Sequence, residues 1–470
     1  MLPQNNQMVN PADLVQLNEA LRKSAGLVGH QAPAVPDANA ALSPLVPQSI
    51  EGMLSVATHT MNEIALWRNI PKTSVSNSLH EYVVVEEHGL DLDPFIQEGG
   101  GGSDFVTGSA SYDRKSVKVK YMAERRQISD VASMVGLIGD NRTAMAEETE
   151  RGTLSLMRKV ESQLWHGDES LNSEGFDGII KQISDSGSKL DLNGSVPTPL
   201  LLQEILGEVY ASPNYGRPDT IYVEPRIHAE LIRQSTENGR HDMFTRDPAQ
   251  GVTFGQENIF ITAPYGKVQV VAAPFLHTAS LAPAAAIGSQ STEAGYVAPS
   301  FAVTSPLAGS TLAAGKYFYK VVAVGKSGAL APVTSAELTV GAGDGVTITL
   351  DADANINYYR IYRSELNGAA ATCRMIARVA GDGTNYVDGG QHAYNSSNIV
   401  FAQHTPDAMQ FVRLLDLIRR PLAETATIRP FLLMLFGSPV VKLPKKMFVL
   451  EQAGFSSTSG INANYLNANF

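Results

Sequence analysis

The chain has 470 residues, 43% of them apolar and 18% charged, so it is long enough for two or three domains and can bury a sizeable core. A net charge of −11 argues against a broad basic face that grips nucleic acid, but leaves room for a container whose acidic wall keeps DNA from sticking. A single cysteine, Cys373, excludes intramolecular disulfides, and the start MLPQNNQMVN lacks the basic-then-apolar order of a signal peptide.

Residues 1–50 are rich in Asn, Gln, Ala and Pro, with a short helical patch at 12–21. Pro33, Pro36, Pro44 and Pro47 keep 30–47 extended, so the segment reads as an arm, the alternative being a disordered tail. A helix is expected over 49–68, ending near Pro71.

Residues 79–126 follow as a ribbon of two strand-like arms around a glycine tip, Gly99, Gly100, Gly101 and Gly102. The outgoing arm carries Glu81, Glu86, Glu87, Asp91, Asp93 and Glu98, without Lys or Arg. The returning arm carries Arg114, Lys115, Lys118, Lys120, Arg125 and Arg126 against Asp104, Asp113 and Glu124. Val117, Val119 and Tyr121 alternate with Lys118, Lys120 and Met122, which is strand periodicity. A lone two-stranded ribbon is marginal in water, so one this long must lie on something, which points toward assembly.

A long helix is expected over 141–166. Asp140 and Asn141 are candidate caps, Leu154, Met157, Val160 and Leu164 form one apolar stripe, Gly152 weakens the helix, and Gly167 stops it. At ~1.5 Å per residue this is a rod of about 40 Å. Beyond a turn-rich patch, helices are expected at 199–211 and 226–234, with strands at 220–223, 259–263 and 268–273. Near residue 280 the composition becomes linker-like, then all-β from 296 to 388, with strands near 316–324, 346–350, 358–364 and 373–379. After Gln391 the α+β pattern returns, with strands at 400–403, 409–417 and 428–436. The β module thus reads as an insertion with both ends in one host domain.

Local chemistry is absent. Gly99–Gly102 has no following Lys-Ser/Thr, and Lys320 stands where a phosphate loop ending in Gly325-Lys326-Ser327 needs its first glycine. His228-Ala229-Glu230 lacks the two downstream cysteines of a zinc deaminase. Asp351, Asp353 and Asn355 open like an EF-hand, but Ile356 and Tyr362 replace its glycine and final glutamate. His241-Asp242 and Arg246-Asp247 read as a polar loop, not a catalytic cluster. No catalytic residue, metal site or cofactor is expected.

The order of arm, charged ribbon, long helix, α+β body and returning apolar strand resembles the HK97-like major capsid proteins of tailed double-stranded DNA bacteriophages. The C-terminal run IRPFLLMLFGSPVVKLPKKMFVLEQAG resembles that family's peripheral-domain strands. The pieces GKYFYKVVAVGKSGAL, YYRIYRSELNG and GDGTNYVDGG resemble a fibronectin type III or immunoglobulin-like sandwich. The resemblance implies an α+β fold with an N-terminal arm at 1–78, an E-loop at 79–126, and a peripheral domain with its spine helix at 127–198 and 425–470. It further implies an axial domain at 199–280 and 393–424, and an inserted sandwich at 296–390. It implies a non-enzymatic subunit that assembles with itself into hexamers and pentamers of an icosahedral shell, found in the virion and assembled in the host bacterial cytoplasm. The ribbon's Glu86, Glu87, Asp91, Asp93, Arg114, Lys115, Lys118, Lys120, Arg125 and Arg126 would make intersubunit contacts, and the glycine tip would flex. Implied partners are a separate scaffolding protein, the portal protein, optionally a decoration protein, and enclosed double-stranded DNA held without sequence-specific binding; no membrane is involved. Lysine–asparagine cross-linking is not expected, because no catalytic glutamate or partner asparagine is identified. The alternatives are an encapsulin-like compartment, a non-shell adhesin or decoration protein that binds through its sandwich, and a hydrolase with an accessory β domain.

Overall fold

The computed structural model describes residues 61–88, 98, 110–134, 144–238, 244–247, 251–254, 260–288, 296–325, 328–424 and 427–454. The expected arm up to residue 60, Asp91, Asp93, Gly99–Gly102, Asp140, Asn141, and His241-Asp242 lie outside the described residues. Two compact units are present, one made of 1–57 with 130–147, the other of 58–129 with 148–470. In the first, the described residues are the helix α2 (Asp130–Met134) and the opening of α3 (Ala144–His166). The rest of the description concerns the second.

In chain order it holds α1 (Ala65–Asn69), β1 (Lys72–Ser74), β2 (Leu79–Glu87), β3 (Ser111–Lys118), β4 (Lys120–Ser129), most of α3, α4 (Ile179–Ser184), β5 (Lys189–Asp191), α5 (Pro199–Tyr210), β6 (Thr220–Val223), α6 (Pro225–Asn238), β7 (Phe244–Asp247), β8 (Gly251–Phe254), β9 (Phe260–Ala263) and β10 (Gly266–Ala272). Next come β11 (Ile287–Gly288), β12 (Ser300–Thr304), β13 (Gly315–Tyr317), β14 (Tyr319–Gly325), β15 (Gly328–Ala329), β16 (Val333–Thr334), β17 (Leu338–Val340), β18 (Gly345–Thr349), β19 (Ile356–Arg363), β20 (Arg374–Ala380) and β21 (Tyr386–Asp388). The chain returns through β22 (Ser397–Ala402), β23 (Met409–Pro421), β24 (Ile428–Val441) and β25 (Phe448–Ala453).

Two mixed sheets make the body. One has the order β1-β23-β24-β4 and the other β5-β25-β22-β6-β10-β9. This corrects the expected partition of strands. Met409–Pro421, placed with the axial strands, instead pairs with Ile428–Val441, while Phe448–Ala453, placed with the peripheral strands, pairs with Ser397–Ala402. The six-stranded sheet is buried beneath α5 and α6, where Leu202, Ile205, Leu206, Ile227 and Leu231 pack on Ile221, Val223, Val268 and Phe401. Thr198 caps α5 by accepting a hydrogen bond from Leu201 N–H, with Pro199 at the first helical position.

Helix α3 spans 23 residues, about 34 Å at ~1.5 Å per residue. Its buried positions are Gly152, Leu156, Met157, Val160, Glu161, Leu164 and Trp165, whereas Leu154 of the expected stripe is only half-buried. Gly152 is a point of close approach: a Cβ there would stand 2.7 Å from Leu433 Cδ1 on β24.

Residues 287–388 form three sheets, with orders β11-β15-β14-β19-β20 (β16 also on β14), β12-β18-β21 and β13-β17. They enclose a core that includes Tyr317, Tyr319, Val321, Val346, Ile348, Tyr359 and Ile361, and a smaller cluster of Val322, Ala329, Tyr362 and Cys373 lies beside it. The two stems that enter and leave this region touch: Thr278 Oγ1 donates to Ser396 O at 2.9 Å, and Ser397 Oγ to Leu276 O at 3.3 Å. Cys373 is buried beside them, donating to Phe318 O at 3.4 Å, and burial pushes its thiol up to about 11.

Candidate assembly surface

The ribbon is a real hairpin over part of its expected length. Strands β2 and β3 pair antiparallel from Leu79↔Lys118 to Val85↔Tyr112, and a register shift then brings Glu87 opposite Ser111. The pairing stops short of residue 126. Val119 is buried and donates its N–H to Ser78 O, and beyond it the chain enters the four-stranded sheet as β4, paired with β24. Val119 and Lys120 are consecutive buried residues, so the inward-facing phase flips there. The sequence hides this flip, because the inward residues of β4 include Lys120, Glu124 and Arg126 rather than an apolar row.

The expected charge residues therefore separate into two groups. Arg114 reaches across the hairpin to Glu81, and Lys115 lies 3.3 Å from Asp113 on its own strand. Lys118 is exposed opposite Leu79. Glu86 and Glu87 belong to β2, though their side chains lie outside the described residues. Lys120, Arg125 and Arg126 are not in the hairpin. Lys120 is 8% exposed and bonds Glu169 and Ser173 O at 2.7 Å each. Arg126 bonds Glu124 at 2.5 Å and Glu148 of α3 at 3.2 Å. Burial pushes the Glu124 carboxyl up, but hydrogen bonds from Lys159, Ser155 and Arg126 outweigh it and hold the group below the usual carboxylate range. Arg125 is exposed, in register with Leu432 and Arg420.

Strand alternation gives the hairpin two faces. The inner face turns Tyr82 and Val117 onto Val412, Val440 and Phe436 of the four-stranded sheet, and Ser438 Oγ donates to Lys118 O at 2.7 Å. The outer face presents Leu79, Glu81, Val83 and Val85 beside Tyr112, Arg114, Ser116 and Lys118, every one exposed. Val83 is 61% exposed and Tyr112 68%. Leu79, Val83, Val85 and Tyr112 thus stand as exposed apolar side chains on one strand face, interleaved with Glu81, Arg114 and Lys118.

A second such surface was not foreseen. The four-stranded sheet turns Leu433, Leu435 and Phe431 inward toward α3, and the alternate residues outward. In register on that outward side lie Leu415, Phe436 and Tyr121, then Ile418, Met434 and Ala123, then Arg420, Leu432 and Arg125. Tyr121 packs edge-on to Phe436 with centroids 5.0 Å apart, yet stays 60% exposed. The run of alternating apolar residues in 428–436 carries this signal, but it reads equally well as a strand buried on both faces.

The comparisons with known proteins bear on this arrangement. The chain is 22% identical over 455 residues to the putative major capsid protein of Enterococcus phage phiEF24C, covering 91% of this chain and 93% of that one. Among solved structures it is similar to the holo-SrpI encapsulin complex from Synechococcus elongatus PCC 7942, with a TM-score of 0.44 and 11% identity over 90% of this chain and 96% of that one. It is similar also to the capsid of an empty GTA particle, with a TM-score of 0.43 and 9% identity over 90% of this chain and 100% of that one. Structural likeness at this level is too slight to assign a fold. The model of the SU10 major capsid protein family matches residues 48–305, more than half of the chain. The chain belongs to the SU10 major capsid protein family, and its function is that of a major capsid protein.

Proposed function

We propose that copies of this chain form the hexamers and pentamers of an icosahedral phage head around double-stranded DNA, each copy laying its hairpin on a neighbour. In this reading the subunit is HK97-like: β2–β3 is the base of an E-loop, α3 the spine helix, and residues 296–390 an immunoglobulin-like or fibronectin III-like insert. The observation that carries it is the exposed outer face of the hairpin, Val83, Val85 and Tyr112 flanking the Glu81–Arg114 pair. The outward side of the neighbour's four-stranded sheet, with Tyr121, Leu415, Ile418 and Met434, offers an apolar strip of matching kind, and Arg125 and Arg420 suit the acidic residues of the outgoing arm. Each aliphatic side chain taken out of water there contributes about 1.5–3 kcal/mol, and repetition around a shell multiplies modest contacts. Asp91, Asp93 and the glycine tip would lie at the far end of the same contact. A separate scaffolding protein, a portal protein and optionally a decoration protein complete the assembly, in the host cytoplasm, on the way to the virion.

The test is the pair Val83→Asp and Tyr112→Asp, each expressed with its scaffold. Electron microscopy is expected to show loss of closed shells, while the thermal midpoint of the free subunit moves by less than about 2 °C, because both side chains are already in water. Normal shells from both variants would remove the hairpin from the assembly mechanism. Deletion of 91–107 extends the test to the arm's tip, with failed or smaller shells as the expected result.

A further inference from the structure

Strand β4 stands at one edge of the four-stranded sheet. It pairs with β24 from Lys120 to Ser129, and no strand pairs with its other side among the described residues. From Tyr121 to Ile128 no hydrogen bond reaches the backbone of that free side among the described residues. In an antiparallel ladder every second residue turns its N–H and C=O away from the partner strand. A long edge in this state is a template for another extended segment.

The edge opens into a cavity of about 770 Å³. Tyr121, Met122 and Ala123 all line it. Consecutive strand residues point to opposite faces, so a cavity that touches three in a row runs along the edge of the strand and not over one face. Leu156 and Val160 of α3, together with Leu171, give it an apolar lining, and Asn357 and Tyr358 bring the β-rich region to it. Its charged groups are already engaged or in water. Lys159 bonds Glu124 at 3.0 Å, Arg378 donates to His166 O at 3.1 Å, Asp168 pairs with Lys181, and Glu174 is exposed. Burial, followed by the nearby Arg378, holds the His166 imidazole down to about 3, so that ring is neutral at pH 7. An open strand edge beside apolar side chains, with no buried charge left to satisfy, suits an extended and uncharged segment.

The chain holds such a segment. Residues 455–470, FSSTSGINANYLNANF, lie outside the described residues and contain no Asp, Glu, Lys, Arg or His. Within them Ile461, Ala463 and Tyr465 alternate with Asn462 and Asn464, which is strand periodicity. The described body ends close by. Gly454 N–H donates to Ser195 O at 2.9 Å, and Glu451 and Gln452 line a second cavity, of about 480 Å³. The two cavities share His166, Asp168, Leu171 and Arg378. Along α3, His166 stands about 15 Å from Leu156, which also lines the larger cavity. The stretch 455–460 extends to about 20 Å, a reach of the same order.

We propose that residues 461–467 of the same chain fill the larger cavity as an added strand on the free edge of β4. Ile461 and Tyr465 turn toward Leu156 and Val160, and Asn462 and Asn464 turn toward water. The added strand covers an edge that would otherwise invite pairing between sheets of different subunits, and it fastens the tail to α3 and the β-rich region. This proposal does not depend on how the subunit assembles.

The test is hydrogen exchange read by mass spectrometry on the free subunit, comparing the full-length chain with a chain that stops at Gly454, each at several concentrations. About half of the amides in 120–129, those turned away from β24, are expected to exchange at least tenfold faster without the tail. Strands β6 and β22, at the centre of the other sheet, are expected to exchange equally in both chains. Ile461→Asp combined with Tyr465→Asp in the full-length chain is expected to reproduce the effect of truncation. Equal exchange of 120–129 with and without the tail overturns the proposal. So does protection that grows with subunit concentration, because the tail would then come from a neighbouring copy. Loss of protection throughout the body in both altered chains overturns it as well, because the tail would then be a general stabiliser and not a strand on this edge.

Discussion

Glu161 is fully buried on α3, and two of its three partners lie far away in sequence. It accepts hydrogen bonds from the N–H groups of Leu66 and Trp67 at the start of α1, both at 2.9 Å, and from Trp165 Nε1 at 3.3 Å. Burial pushes its carboxyl above the usual carboxylate range, with the three donors opposing. The arrangement supplies acceptors to a five-residue helix that has no side-chain cap of its own. Glu161→Leu keeps the volume but strands those donors. Each buried unsatisfied donor costs about 1–3 kcal/mol, offset in part by no longer burying a carboxyl group, so a loss of about 2–4 kcal/mol is expected. The shift in urea midpoint at unchanged slope measures it, and a loss below about 1 kcal/mol would show the bonds to be dispensable. The stripe of Met157, Val160 and Leu164 was legible from spacing alone. Glu161, next to Val160, was not, because a glutamate on a helix ordinarily faces water and no local pattern reveals a partner some 95 residues away.

At the scale of elements, spacing told more about type than about contact. The helices at 199–211 and 226–234 and the strand at 220–223 appear within a few residues of expectation, since each carries a clear period or cap. The end of the hairpin at Val119 was not legible, because a strand that changes partner keeps its alternation, and partner identity is a long-range property. Gly152 shows the same limit. Taken alone it weakens a helix by about 1 kcal/mol relative to alanine, yet in place it lets α3 settle on β24 against Leu433. The two effects predict opposite outcomes for two substitutions. Gly152→Ala brings one methyl against the mobile end of Leu433, and helix propensity offsets the crowding, so stability is expected to change by less than about 1 kcal/mol. Gly152→Leu forces the helix off the sheet, with an expected loss of about 1–3 kcal/mol or more. Comparing the two urea midpoints decides it: equal losses would mean that the helix does not rest on Leu433.

For the molecule as a whole, the change of composition near residue 280 precedes a run of strands, β11 to β21, but the α+β pattern expected after Gln391 does not return: the described residues 397–454 hold the strands β22 to β25 and no α-helix. The way the β-rich region is fastened could not be read, since it depends on arginines spread along it and on backbone carbonyls outside it. Arg363 is held between Asp388 at 2.7 Å and His392 O at 2.6 Å, Arg374 donates to Ala279 O at 3.1 Å, and Arg378 to His166 O at 3.1 Å. The buried core beneath α5 and α6 draws on none of the described residues between 283 and 391. Excising 283–391 and joining 282 to 392 through a short Gly-Ser linker should therefore leave a body that folds, since the stems already touch through Thr278 and Ser396. It should be weakened by at least the three lost guanidinium–carbonyl bonds, at about 1 kcal/mol each, and further by lost bonds such as Met375 N–H to Ser280 O, Ala282 N–H to Cys373 O and Tyr394 Oη to Thr372 O. At roughly 2–4 °C per kcal/mol for a body of this size, the thermal midpoint should fall by at least about 6 °C, read by calorimetry beside a circular dichroism spectrum. An unchanged midpoint would mean that the β-rich region is merely tethered. Loss of any cooperative transition would mean instead that the body needs this region in order to fold, and that residues 287–388 are part of the subunit wall rather than an addition to it.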